Sequence, residues 1–516
     1  MSKNPTARTA RNAAASYLRF FVSMMVMFLL TPYIIRHVGQ QEFGLWSLTF
    51  SVLGFFGLLD MGLSSSVVRY VAECRGAGDI DRRNRMVSTL SIVYLVITTV
   101  AAIAVLALSH NYTRLFSIPL EQQSRAVALL WILAARTSLF ALPLSLFQGI
   151  LFGEQRIALL NGIQISTTLL YGSLSWVALA HGSGLVTLAW INLGAMILEY
   201  TLYAVFAFRT VGDLRISWKL ADRSLLRTVA GFSFAQSIVS VAALVRLRTD
   251  PLIVQYFLPI SQVAIYAVAL RIAESALLLI KQGINVLSPL MAQLHGSGDH
   301  DKIRTTMLGA GKLSFFGSTL LTVPICVFAT QIVSRWVGTG FASAGPTLIV
   351  LMLSMWLVTP QLVAASVLAM TGHHKITARA EVGGMLLNLC VSIALARPLG
   401  LAGVALGTLV STIIVDLLYI VSYACRVNGI TYGTFTKKVL LAGFVPGAVQ
   451  TAITLAIKLT LPALSIPVML LGSVAGGAAA LAVFYTLYLE PDEKRAVLKR
   501  LRRGKETDVT AVAVSG

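Results

Sequence analysis

FGLLDMGLSSSVVRY, residues 56–70, sets an aspartate, three consecutive serines and an arginine inside a chain otherwise built from apolar runs. A charge at mid-bilayer costs roughly 2.5–3.5 kcal/mol, and each leucine or isoleucine returns only about 0.3–0.6 kcal/mol. If this stretch crosses a membrane, Asp60 must face protein or water. The rest of the chain says that it does. Of 516 residues, 56% are hydrophobic and 12% are charged, with a mean hydropathy of +0.79. A soluble domain carries about twice that charged fraction. Apolar windows of about 20 residues, enough to cross about 30 Å of hydrocarbon, recur from end to end. The chain reads as an all-α integral membrane protein.

Fourteen spans are expected, at residues 14–37, 42–70, 86–109, 125–150, 157–181, 184–208, 228–250, 261–290, 306–329, 344–370, 377–396, 400–424, 438–460 and 464–488. The net charge of +20 would suit nucleic acid in a soluble protein. Here the cations gather in alternate short loops: Arg75, Arg82, Arg83 and Arg85, then Arg209, Arg215, Lys219 and Arg223, then Lys302 and Arg304, then Lys437 and Lys438. With Lys3, Arg8 and Arg11 at one end and Lys494 to Arg503 at the other, this pattern predicts both termini in the cytoplasm and contacts to anionic lipid. No nucleic-acid partner is expected.

RGAGDIDR at residues 75–82 returns 220 residues later as HGSGDHDK at residues 295–302. TPYII from Thr31 resembles DPLIV from Asp250, and GEQR from Gly153 falls opposite GHHK from Gly372. Three weak matches in one order argue for an internal repeat. The expected lobes are residues 1–208 and 228–424, joined by a linker at 209–227. Two further spans at 425–490 and a basic tail at 491–516 follow. Six spans per copy is even, so the copies enter the membrane in the same sense, related by a pseudo-two-fold axis along its normal with a cavity between them.

The eighth span holds Arg271, Glu274 and Lys281, which would cost about 8 to 10 kcal/mol if all faced lipid. Helical geometry puts the three on one narrow face over about 15 Å, a polar stripe that needs protein or water opposite it. Arg19, Arg136, Glu199 and Asp416 are further intramembrane charges. Arg246, Arg248 and Asp250 are read as interfacial or intramembrane. Asp60 shares a face with Gly57 and Ser64, whereas Arg69 points away and has Glu73 one turn on as a surface partner. The offset puts Asp60 at nearly the depth of Lys281, which raises either a cross-lobe ion pair that opens during transport or a permanent one. Cations outnumber anions along this candidate lining. Guanidinium groups match phosphate bidentately, so Arg19, Arg136, Arg271 and Lys281 are the candidate substrate-binding cations. Asp60, Glu199, Glu274 and Asp416 are the candidate coupling or gating carboxylates.

Other motifs carry packing. GAGKLS at residues 309–314 lacks the first glycine of a phosphate loop, Thr306 standing there, and follows no strand. Gly403/Gly407, Gly443/Gly447 and Gly472/Gly476 have the spacing of close helix contacts. Pro143, Pro289, Pro324 and Pro360 interrupt spans. Cys74, Cys326, Cys390 and Cys425, with His373 and His374, supply no metal-ligand spacing. No cofactor and no catalytic residue is expected.

GLLDMGLSSSVVRYVAE, preceded by TPYIIRHVG and GQQEFGLWSL, resembles the polysaccharide transporter branch of the multidrug, oligosaccharidyl-lipid and polysaccharide exporter superfamily. The resemblance covers essentially the whole chain. It implies a flippase that carries a lipid-linked oligosaccharide, usually on undecaprenyl pyrophosphate, across a bacterial inner membrane by alternating access, for exported or surface polysaccharides such as lipopolysaccharide. It also implies a lateral gap beside the first and eighth spans, with Arg19 and Arg271 meeting the pyrophosphate. A polysaccharide polymerase and a chain-length regulator are the usual partners. Two rivals stand: a drug exporter of the same superfamily, which Asp60, Glu199 and Asp416 would suit, and a membrane-embedded polymerase or ligase. Against the latter, the longest outward connection, near residues 109–125, is under about 20 residues.

Overall fold

The computed structural model describes residues 5–60, 62–222, 224–225, 241–242, 244–246, 248–284, 287–461, 465–491 and 493–495. Among them there is no strand, and twelve helical stretches are long and apolar enough to cross a membrane. Eleven follow the expected spans one for one. The twelfth, Lys375–Val427, runs through two of them, kinked at Gly400, where φ is 58°. Most of the expected span at 228–250 lies outside the described residues.

The stretch that opened the reading is not one helix. Helix α2 (Gln40–Gly54) tightens into a 3-10 turn at Phe55–Asp60, and α3 (Leu63–Ala77) restarts behind Gly62, whose φ of 71° suits glycine. A restarting helix leaves its first N–H groups without acceptors. Asp60 supplies one: its carboxylate accepts from Ser64 N at 3.4 Å and from Ser64 Oγ at 2.8 Å. The continuous span expected at 42–70 is thus broken, and Asp60 and Ser64 answer the break. Glu73, expected beside Arg69, pairs instead with Arg82 at 3.0 Å.

The repeat is visible as geometry. Gly78 and Gly298 both turn left-handed, with φ of 69° and 71°. Asp79 N and Asp299 N return to Cys74 O and Leu294 O at 3.0 and 3.1 Å. The same two aspartates cap the next helices by accepting from Arg82 N at 2.8 Å and Lys302 N at 3.1 Å. Hydrogen bonds from Lys302, side chain first, hold the Asp299 carboxyl below its ordinary range, so this cap weakens as pH falls through that lowered value. The GEQR match is two residues out of register. The left-handed residues are Gln155 and Gly372, 217 positions apart, and the backbone bonds that close each turn, Arg156 N to Leu151 O and His373 N to Leu368 O, keep that offset.

By contacts the chain forms two compact units: residues 1–271 with 333–347 and 381–411, and residues 272–332 with 348–380 and 412–516. The core of the first includes Val67, Leu90, Tyr94, Ile150 and Tyr203; that of the second includes Met307, Phe315, Val367, Val421 and Val439. Within the first unit the segment after α8 (Leu185–Thr210) is stitched to α4 (Ile80–Leu115). Asn84 Nδ2 donates to Asp213 O at 2.8 Å, and Ser88 Oγ and Thr89 Oγ1 accept from Ser217 N and Asp222 N.

Prolines inside spans each delete one donor, freeing the carbonyl four residues earlier. Two of these carbonyls are taken up from a distance. Pro32, in α1 (Pro5–Val38), frees Phe28 O, which accepts from Trp336 Nε1 at 2.8 Å. Pro324 frees Leu320 O, which accepts from Gln450 Nε2 at 3.2 Å. Glycines at the expected spacing bring helices close: a methyl at Gly443 would overlap the Phe315 ring, and one at Gly476 the Thr454 hydroxyl. GAGKLS lies inside the helix His300–Val327, and its Lys312, 7% exposed, bonds Tyr488 O and the Glu493 carboxylate, pinning the chain after the last span.

Trp336→Phe keeps the ring on Phe28 but removes its donor, and Gln450→Leu does the same for Leu320; each should cost about 1–3 kcal/mol. Gly443→Ala should cost about 1–3 kcal/mol by overpacking. Thermal unfolding in detergent reads all three, and an unchanged midpoint in Trp336→Phe would show that the freed carbonyl needs no protein donor.

Candidate functional site

Irregular backbone and intramembrane charge coincide. Asp60 closes the 3-10 turn, Arg136 lies in a π-helical turn at Ala135–Ala141, and Asp416 lies in another at Thr412–Ile420. Wide turns shift side chains out of the 3.6-residue phase and recur at functional sites. A helical wheel drawn from the sequence places these three residues on regular helices, and that is corrected here.

In the first unit Asp60 and Glu199 are both hydrogen-bonded. Asp60 Oδ1 accepts from Ser64 Oγ and from Tyr94 OH at 3.0 Å, Tyr94 being fully buried on α4. Glu199, on α8, accepts from Thr167 Oγ1 at 2.8 Å and from Tyr203 OH at 2.9 Å. The cations are differently placed. Arg19 Nε on α1 and Arg136 Nε are both buried with no hydrogen-bond partner. The Arg136 guanidinium stands 5.9 Å from the Phe50 ring centre. It is within electrostatic reach of Glu199, Tyr171 and Tyr200. Arg271 also acts on Tyr171, Arg19 on Tyr203, and Asp60 on Tyr200. Arg19, Arg136, Arg271, Glu199 and Asp60 therefore share one neighbourhood of tyrosine hydroxyls inside one unit.

Glu274, Lys281 and Asp416 belong to the second unit. Glu274 and Lys281 are half-buried on the helix Ile260–Ile284 that also carries Arg271. Leu278, on their face, is 49% exposed, whereas Ile272, Ala273 and Ala276 behind them are buried, so the polar stripe occupies the open side of the helix. Asp416 is 1% exposed.

One cluster escaped the sequence. Asp250, read as interfacial or intramembrane, is buried in the protein at 4% exposure. Asp250 Oδ2 accepts from Tyr266 OH at 2.6 Å and from Thr408 Oγ1 at 3.1 Å, and Thr408 in turn accepts from Asn388 Nδ2 at 3.0 Å. Arg246 lies beside them, donating to Ser411 Oγ at 3.3 Å, with Glu381 at 4.0 Å. Asp250 Oδ1 is buried without a partner. Such an oxygen-rich set can hold a proton or a hard monovalent cation. The available signal was the Asp-Pro pair opening DPLIV at the repeat position of Thr31 and Pro32. No group of three or more His, Cys, Asp or Glu side chains forms a metal site among the described residues.

In the first unit Arg19 and Arg136 each keep a buried Nε donor without a partner, and Asp250 keeps a buried Oδ1 acceptor without one.

Comparison with known proteins places this geometry. The chain is 22% identical over 508 residues to the uncharacterized membrane protein EpsK of Bacillus subtilis (strain 168), covering 96% of this chain and 98% of that protein. Its fold is similar to that of the lipid II flippase MurJ in an inward closed conformation, with a TM-score of 0.70 at 13% identity over 92% of this chain and 98% of the other. It is also similar to an inward-facing multidrug resistance MATE family transporter of the MOP superfamily, with a TM-score of 0.69 at 17% identity over 81% and 99%. Residues 9–295 match the family described as polysaccharide biosynthesis protein. A multi-pass helical protein with this fold, carrying that match over more than half its length, belongs to the polysaccharide biosynthesis protein family.

Proposed function

We infer that the protein flips a lipid-linked oligosaccharide across the bacterial inner membrane, the lipid being a polyprenyl pyrophosphate such as undecaprenyl pyrophosphate. The observation that carries this reading is the pair of buried, partnerless guanidinium donors of Arg19 and Arg136 beside Arg271 in the first unit. A pyrophosphate supplies the acceptors these donors lack, in the bidentate geometry guanidinium favours. The gathering of Arg19, Arg136 and Arg271 in the first unit repels a cationic cargo, which disfavours the drug-exporter reading.

On this reading the termini are cytoplasmic, because the basic segments follow the positive-inside pattern. The two lobes of the repeat alternate access, with Lys281 as a further substrate-binding cation and Glu274 as a gating carboxylate on the Ile260–Ile284 helix. Asp60, Glu199 and Asp416 gate or couple the change. The family match and the similarity to MurJ support lipid-linked cargo. The protein acts as a transporter rather than an enzyme, supplying a separate polymerase and chain-length regulator.

In a depletion strain, lipid-linked repeat units should build up on the cytoplasmic leaflet; their appearance on the outer leaflet at the normal rate would sink the reading. Arg19→Ala and Arg271→Ala should each lower export roughly tenfold or more, the worth of a charge-assisted hydrogen bond to phosphate. Arg69→Ala, at an exposed guanidinium over the Tyr70 ring, should leave export within about twofold. Equal export by all three at matched expression would remove the cationic site.

A further inference from the structure

A second polar concavity lies in the first unit at the helix ends opposite the basic loops, where α1 ends, α2 begins, α5 (Leu120–Ala134) begins and the helix Ile260–Ile284 begins. Its volume is about 510 Å³, and Gln40, Gln41, Glu42, Glu121, Gln122 and Arg125 line it. The frame is tied: Gln40 Nε2 donates to Ser261 O at 3.1 Å, and Arg125 pairs with Glu42. Gln122, 7% exposed, donates through Nε2 to Gln41 Oε1 at 2.9 Å. Its own Oε1 is buried without a partner.

A buried amide oxygen left unmatched costs about 1–3 kcal/mol, and folding gives no reason to keep one here. Gln122 thus holds the amide of exposed Gln41 at the cavity, where the Gln41 Nε2 offers a donor beside the carboxylate acceptors of Glu42 and Glu121. A group that donates and accepts at once is a hydroxyl, and a cluster of amides with carboxylates around 510 Å³ of space suits several hydroxyls together. Glu42 is neutralised by Arg125 and Glu121 is in no ion pair among the described residues, so the wall is acidic on balance and disfavours acidic ligands.

We propose that this pocket is a carbohydrate subsite for the neutral glycan portion of the cargo, on the face where the cargo leaves. The proposal rests on the flippase reading and adds to it the chemical class of sugar that is held. It gives the exported glycan a place to bind away from the cationic site, through hydroxyl groups rather than phosphate.

The test uses the full chain in lipid nanodiscs and saturation-transfer difference NMR with two probes, maltotriose and trigalacturonate, each at about 10 mM, tenfold above a millimolar Kd. Maltotriose should give signal transfer, reduced at least fivefold by Gln122→Leu and by Gln41→Ala, and trigalacturonate should give much less. Gln41 is exposed, so its variant keeps the test valid if Gln122→Leu fails to fold. No transfer to maltotriose, equal transfer to both probes, or transfer unchanged in Gln41→Ala would each overturn the subsite. The sidedness assay in the depletion strain reads the flippase reading separately. Cytoplasmic build-up of lipid-linked units together with absent maltotriose binding would sink the subsite and leave flipping intact.

Discussion

Hydrocarbon offers no hydrogen bonds, so every polar group that the chain carries into the membrane must find its partner within the protein. The structure can be read as the consequences of that constraint. Pro32 and Pro324 lie inside two spans, and in each case a side chain more than 100 positions away covers the carbonyl the proline exposed, Trp336 over Phe28 and Gln450 over Leu320. Where α2 stops and α3 restarts, Asp60 caps the new helix through Ser64. These three interruptions are answered by groups within the protein, and the answering groups of Pro32 and Pro324 fix which helices are neighbours.

Three of the intramembrane charges lie at irregular backbone. Arg136 and Asp416 sit in π-helical turns and Asp60 in a 3-10 turn. A regular helix would present these residues on a fixed stripe; a wide or tight turn aims one side chain without rotating the rest. Aromatic hydroxyls then complete the site. Tyr94 and Tyr203, both fully buried, donate to carboxylates, while the Nε atoms of Arg19 and Arg136 stay buried without an acceptor.

In the second unit small residues bring helices close, as at Gly443 under the Phe315 ring and Gly476 against Thr454, where side-chain bulk would separate the pairs. Tying the segment after α8 to Asn84, Ser88 and Thr89 anchors the linker without a large core. Lys312 plays the corresponding part in the second unit, where it holds Glu493 and Tyr488 O.

Much of this architecture was legible in the residues. Apolar length located the spans, because the bilayer selects for it directly. The 220-residue echo of RGAGDIDR in HGSGDHDK located two turns of one geometry, because a left-handed glycine followed by a capping aspartate is a local instruction. The glycine pairs announced close packing for the same reason. The break after Asp60, the π-turns under Arg136 and Asp416, and the burial of Asp250 were not legible, since hydropathy windows average over about 20 residues and a helical wheel assumes an unbroken helix. Nor was Trp336 on Phe28, or Gln122 facing Gln41, 81 positions apart. Local propensity and membrane thickness act on short stretches and can be read from them; the partner of a buried polar group is chosen by which helices meet, and only the folded chain decides that.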